Sequence, residues 1–287
     1  MTAALAGAQE LEPRAFSPSP VGTMFILGGF GKSEGGVLFD PTLDIDNVQA
    51  ELWIATAGVG RTFAIAGHQG KVLAVAPLAW GTVAGEVHEL KQRQHLAGLV
   101  DPRIKVSVGL IGAPALTVAE FATAPRKTAM GVGLTIVPPW GQYRSAQLVN
   151  LGYNRWAAKP EVGVSHPVGR WTFEGSAGAW LFGTNASYFP AHGVRRQDAV
   201  VTLQGNASYA LSRRSWIGIN ATWFSGGETR VDGVTNPDLQ RNARLGATWS
   251  IPVVGQQSVK LAYSTGTTTR RGSDFNTFNA MWQVVLF

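Results

Sequence analysis

Asp101-Pro102-Arg103-Ile104-Lys105-Val106-Ser107-Val108-Gly109-Leu110 sets Ile104, Val106, Val108 and Leu110 on one side of an extended chain. Arg103, Lys105, Ser107 and Gly109 fall on the other. A period of two with this contrast means a strand with one apolar and one wet face. The same rhythm recurs downstream. Ile217, Ile219, Ala221 and Trp223 oppose Gly218, Asn220 and Thr222. Ala243, Leu245, Ala247, Trp249 and Ile251 oppose Asn242, Arg244, Gly246, Thr248 and Ser250. Val259, Leu261 and Tyr263 oppose Lys260, Ala262 and Ser264.

Working outward from these segments gives about twelve strands, near 21–33, 48–63, 70–84, 99–112, 127–138, 155–166, 169–182, 198–211, 215–227, 239–251, 257–268 and 275–287. They exceed the ~5–6 residues usual in soluble sheets and suit the ~9–11 that cross a bilayer. Short connections are expected near Gly67–Gly70, His166–Gly169, Leu211–Arg214 and Pro252–Gln256. Long ones are expected at Gly35–Asn47, Gly85–Gly98, Pro138–Asn154, Gly183–Arg196, Glu228–Pro237 and Thr268–Asp274. Short periplasmic turns alternating with long extracellular loops are the pattern of an all-β, antiparallel transmembrane barrel, and an even count leaves both termini in the periplasm. Ala113–Arg126, bounded by prolines, has room for a short periplasmic helix.

Composition agrees. Charged residues are 15%, below the roughly 25% of soluble domains. The longest suggestive apolar stretch, Lys71 to Trp80, contains Pro77 and is too short for a transmembrane helix. A closed barrel is the other structure that satisfies its backbone in lipid. The chain has no Cys, which excludes disulfides and thiolate chemistry. Its net charge of +6 comes without a dense basic run, so no nucleic acid partner is expected. Arg195–Arg196, Arg213–Arg214 and Arg270–Arg271 sit beside turns or loops and read as a solvated rim. Trp171, Trp216 and Trp249 lie near short turns, and Trp140, Trp156, Trp180 and Trp223 near long loops, as two interfacial girdles would. In the last strand Phe278, Ala280, Trp282, Val284 and Leu286 share the more apolar face, and the terminal Phe287 falls on the other.

Residues 1–20 read as a signal-peptide remnant, with Ala6-Gly7-Ala8 as its cleavage motif, followed by an arm. The barrel occupies 21–287. Pro13, Pro18 and Pro20 keep the arm out of the sheet, so it lies in the periplasm or is tucked into the lumen.

Inward positions collect Asp101, Arg103, Lys105, Lys159, Glu161, Glu174, Asn206, Asn220, Asn242, Arg244 and Lys260. These line a solute path or form a salt-bridge network that plugs the barrel. The basic excess favours anionic or phenolic solutes. No cofactor is expected: Gly28-Gly29-Phe30-Gly31 precedes no helix, and His68, His88, His95, His166 and His192 lack metal-ligand spacing. Ser187 and Ser225 share the outer rim with His88, His95 and His192, but no segment lays out a nucleophile, base and orienting group.

Several stretches resemble the outer-membrane family named for meta-pathway phenol degradation. They are Leu11-Glu12-Pro13-Arg14-Ala15-Phe16, Gly35-Gly36-Val37-Leu38-Phe39-Asp40-Pro41, Asp101-Pro102-Arg103 and Gly112-Ala113-Pro114-Ala115-Leu116. Further on come Pro139-Trp140-Gly141-Gln142-Tyr143, Leu148-Val149-Asn150, Asn154-Arg155-Trp156 and Lys159-Pro160-Glu161. Asn242-Ala243-Arg244-Leu245-Gly246-Ala247-Thr248 and Gly272-Ser273-Asp274-Phe275 complete the set. The resemblance implies an outer-membrane barrel associated with uptake or tolerance of aromatic compounds, and it carries no catalytic residues over to this chain. The partners expected are outer-membrane lipid and lipopolysaccharide, the barrel-assembly machinery and a small-molecule solute.

Overall fold

The computed structural model describes residues 13–38, 45–87, 90–190 and 192–287. The expected leader motif, His88 and parts of the first two family stretches lie outside them.

The chain runs through strands β1 (Met24–Leu38), β2 (Ile45–Ile65), β3 (His68–Val87), β4 (Leu90–Leu99) and β5 (Arg103–Ile111) to the helix α1 (Val118–Thr123). It continues through β6 (Ala129–Val137), β7 (Ala157–Val168), β8 (Trp171–Phe182), β9 (Asn185–Tyr188), β10 (Gly193–Gln197), β11 (Val200–Ala210) and β12 (Trp216–Gly226). Last come β13 (Thr229–Val231), β14 (Val234–Thr235), β15 (Gln240–Pro252), β16 (Gln257–Thr269) and β17 (Gly272–Leu286).

Thirteen of the strands form one antiparallel sheet. It closes on itself because β1 pairs with β17 along its whole length, from Met24 opposite Leu286 to Leu38 opposite Gly272. Closure leaves no unpaired sheet edge running through lipid. β4 and β5 stack end to end along β3, so the wall has the twelve staves expected from the sequence. The switch falls at Pro77. Below it β3 pairs with β5 from Val75 downward, and above it with β4 from Leu78 upward. A residue without an N–H is tolerated where the ladder changes partner, and the Pro77 carbonyl accepts from Val100 N at 2.9 Å.

Outward side chains are apolar through the middle of the wall: Val106, Met130, Val132, Leu134, Leu203, Ile217, Ile219 and Leu245 are all exposed. So broad an apolar surface fits lipid and not water. Aromatic residues bound it. Phe30 stacks on Trp53 at 5.5 Å and meets Trp80 at 6.0 Å on the outer side. Above them Lys32 pairs with Glu34 and Glu51 at 2.7 and 2.9 Å. Trp171 meets Tyr209 at 5.0 Å on the periplasmic side. This is a closed transmembrane β-barrel.

Three expectations need correction. Leu90–Leu99 is a strand, where a loop over Gly85–Gly98 was expected. The Gly183–Arg196 and Glu228–Pro237 connections contain β9, β10, β13 and β14, which build a separate four-stranded sheet on the extracellular side. The Thr268–Asp274 connection is short, because β16 runs to Thr269 and β17 begins at Gly272. Two tryptophans also leave the expected girdles: Trp180 and Trp216 face the lumen.

Candidate functional site: a lumen crossed by an arm and capped outside

The compact hydrophobic core lies inside the barrel, at its extracellular end. Inward residues Val48, Ala50, Leu52 and Ile54 of β2, Ala79 and Val83 of β3, Leu96 of β4, Val100 just after it, and Phe275 of β17 surround Val149 and Leu151. The last two come from segment 138–156, which follows β6 and folds inward. Asp101 fixes that fold: its carboxylate oxygens accept from Gly141 N and Tyr153 N, both at 2.7 Å. Asn150 Oδ1 accepts from Arg144 N at 2.7 Å, and Gln94 Nε2 donates to the Val149 carbonyl at 2.9 Å. Burying two apolar side chains among nine others makes this a dry cap across the outer lumen.

Below the cap is a cavity of ≈1340 Å³ that reaches the short-turn end, where Gly169, Arg170, Ser212 and Arg213 line it. Residues 13–20 cross it. Arg14 donates to Ser208 Oγ at 3.2 Å and lies 4.7 Å over the Trp216 ring. Ser17 Oγ donates to Glu174 at 2.8 Å, and Lys71 Nζ to the Ala15 carbonyl at 3.0 Å. Ser19 and Gln69 exchange two hydrogen bonds at 2.9 and 3.0 Å. Thr62 Oγ1 donates to the Pro20 carbonyl at 2.6 Å. The arm thus spans from β11 and β12 to β2 and β3, on the far side of the closed sheet.

Most of the inward residues read from sequence meet at this cavity. Arg103, Lys105, Lys159, Glu161, Glu174, Asn206, Asn220 and Lys260 line it. Glu161 bridges two lysines, with Lys105 Nζ at 2.7 Å and Lys159 Nζ at 3.1 Å. Asn206 and Asn220 are cross-strand partners, and among the described residues their buried Oδ1 atoms have no hydrogen-bond donor. Phe25, Leu27, Leu73, Val75 and Met281 give the cavity an apolar side. Asp101, Asn242 and Arg244 point inward but stand apart from the cavity, because each holds backbone at the outer end. Asn242 accepts from Arg270 N at 2.9 Å and donates to the Arg271 carbonyl at 2.7 Å. Arg244 donates to the Phe275 carbonyl at 2.6 Å.

The sequence reading missed Trp180, Arg155 and Arg195. Trp180 shares the parity of Thr172 and Glu174, which places it inward. Arg195 is buried, not part of a solvated rim, and lies 5.4 Å from the Tyr188 ring. Arg155 packs 4.6 Å from Phe182 and hydrogen-bonds Gln197. Burial pushes the Arg155 guanidinium down to about 9, and the charge of Arg195 adds to that shift. Burial lowers Arg195 too, while Asp238 pulls it upward.

Among the described residues, no cluster of three His, Asp or Glu could hold a metal ion. His95 meets Thr82 Oγ1 at 3.2 Å, and His166 meets Thr128 Oγ1 at 2.7 Å.

An outer membrane channel from Pseudomonas putida F1 has a similar fold, with a TM-score of 0.79 at 15% identity over 96% of this chain and 100% of that one. The transport unit of the autotransporter AIDA-I from Escherichia coli aligns with a TM-score of 0.51 at 10% identity, over 93% of this chain and 90% of that one. No curated protein sequence matches this one. Residues 30–282 match the family described as "Putative MetA-pathway of phenol degradation", and the chain belongs to that family.

Proposed function

We propose that this protein is a channel through which a small aromatic or anionic compound crosses the outer membrane by passive or facilitated diffusion. The cavity carries the reading. It is larger than most drug-sized pockets, opens toward the periplasmic turns, and combines cations, amides and apolar side chains on its wall. The two obstructions in the lumen are a loop segment and a terminal arm, the kinds of element that move without breaking the sheet. In this reading the barrel passes its solute chemically unchanged. Outer-membrane lipid, lipopolysaccharide and the assembly machinery are its other partners.

Swelling of proteoliposomes in benzoate and phenol tests this. Rates above those of protein-free liposomes are expected, and equal rates would refute the channel. A second reading, a structural or adhesion barrel without an open pore, draws on the dry cap and on the extracellular sheet, where Val194 and Val234 are exposed. It is favoured if swelling is absent while the outer sheet binds cells.

A further inference from the structure

Four cation–ring pairs gather on one side of the lumen, from β5 across β7 and β8 to the extracellular sheet. On β5, Lys105 Nζ lies 5.7 Å from the Phe16 ring of the arm. In the same ladder row, with Thr135 of β6 between them, Lys159 Nζ lies 5.4 Å from the Trp180 ring. Next, Arg155 Cζ lies 4.6 Å from Phe182, whose ring stacks on Trp180 at 6.4 Å and 16°. At the top, Arg195 Cζ lies 5.4 Å from Tyr188 on the extracellular sheet. The β7–β8 register sets Lys159 and Trp180 below Phe182. β7 and β8 are antiparallel neighbours, with Ala157 opposite Phe182 and Glu161 opposite Gly178, so Lys159 and Trp180 fall at the level between.

One member is short of acceptors. Arg155 is 4% exposed, yet among the described residues its Nε and Nη1 have no hydrogen-bond partner. Its Nη2 donates to the neutral Gln197 side chain. The nearby carboxylate of Asp101 is already taken by two backbone N–H groups. A buried guanidinium with open donors is costly unless an acceptor arrives, and an anion serves best. The rings beside it offer stacking faces.

We infer that this series of Arg195, Arg155, Lys159 and Lys105 on Tyr188, Phe182, Trp180 and Phe16 is a binding track for aromatic anions, carboxylates or phenolates, leading from the extracellular loops to the cavity. The inference rests on the channel reading and narrows its solute. The anion meets Arg195 and Arg155 first and then Lys159 and Lys105, which share the Glu161 carboxylate as counter-ion, and its ring meets a ring beside each cation. A neutral aromatic uses only the rings, and a small aliphatic anion uses only the cations.

Calorimetric titration of the full chain, folded in detergent, with benzoate, benzyl alcohol and acetate tests the track. Empty micelles supply the blank, and heat-modifiable electrophoretic migration confirms folding of each variant. Benzoate should bind more tightly than either companion. Arg155→Gln should weaken benzoate by about tenfold or more and leave benzyl alcohol unchanged. Trp180→Leu should bring benzoate toward acetate. Benzoate binding no tighter than acetate, or unaltered by Arg155→Gln in the folded barrel, overturns the track. If benzoate fails to bind while liposomes still swell in phenol, the track is wrong and the channel stands. If benzoate binds but liposomes do not swell, the channel is wrong and the site stands.

Discussion

Phe16 of the N-terminal arm packs against Gly163 of β7 so closely that a Cβ at residue 163 would collide with the ring. Glycine at this position is what allows the arm to lie across the lumen.

Gly163→Leu should therefore expel the arm while leaving the sheet intact, since residue 163 faces the lumen. Single-channel conductance should rise, and trypsin should cut at Arg14 faster than in the unmodified protein. An unchanged conductance with a protected Arg14 would mean the ring finds room elsewhere.

Asp101→Ala removes the acceptor for Gly141 N and Tyr153 N. Leaving buried N–H groups unpaired costs about 1–3 kcal/mol each. The loss should be local: trypsin cleavage at the exposed Arg144 should accelerate while the barrel remains folded by electrophoresis.

Phe275 is fully buried in the outer cap. Phe275→Ala should destabilise the cap by about 3–5 kcal/mol, seen as a lower urea midpoint for loss of protease resistance in segment 138–156. It should also leak ions, because the cap is the apolar obstruction at that end.

Glu120 closes a capping box on α1, accepting from Thr117 N and Thr117 Oγ1 at 2.8 Å each. Those bonds hold its carboxyl below the ordinary range, backbone N–H first. A depressed folded pKa gives stability that is present above the unfolded value, near 4.3, and lost as pH falls through the folded one. Amide exchange over Val118–Thr123, corrected for intrinsic rates, should speed up on acidification below that range. Glu120→Gln should remove the pH dependence.

The sequence disclosed the wall better than its contents. The alternation in Asp101–Leu110 fixes which side chains meet lipid, because a period of two leaves one face for each solvent. It also placed Lys105, Lys159 and Glu161 inward, where they pair. The β4 strand escaped notice since it stands above the membrane on the tall side, where Lys91, Arg93 and His95 replace the apolar outer face. Trp216 was grouped by its distance from a turn, although its parity with Gly218 and Asn220 already turned it inward. Segment 138–156 has no period to read. Its inward fold depends on Asp101 and on contacts distant in sequence, which pattern alone does not carry.

Ion conductance across a planar bilayer tests the central claim most directly, measured for the unmodified protein, Gly163→Leu and Phe275→Ala. Discrete steps are expected from the unmodified barrel, and larger ones from each variant, since each relieves a different obstruction of one lumen. Absence of any step in all three, with the barrels demonstrably folded and inserted, would contradict a channel.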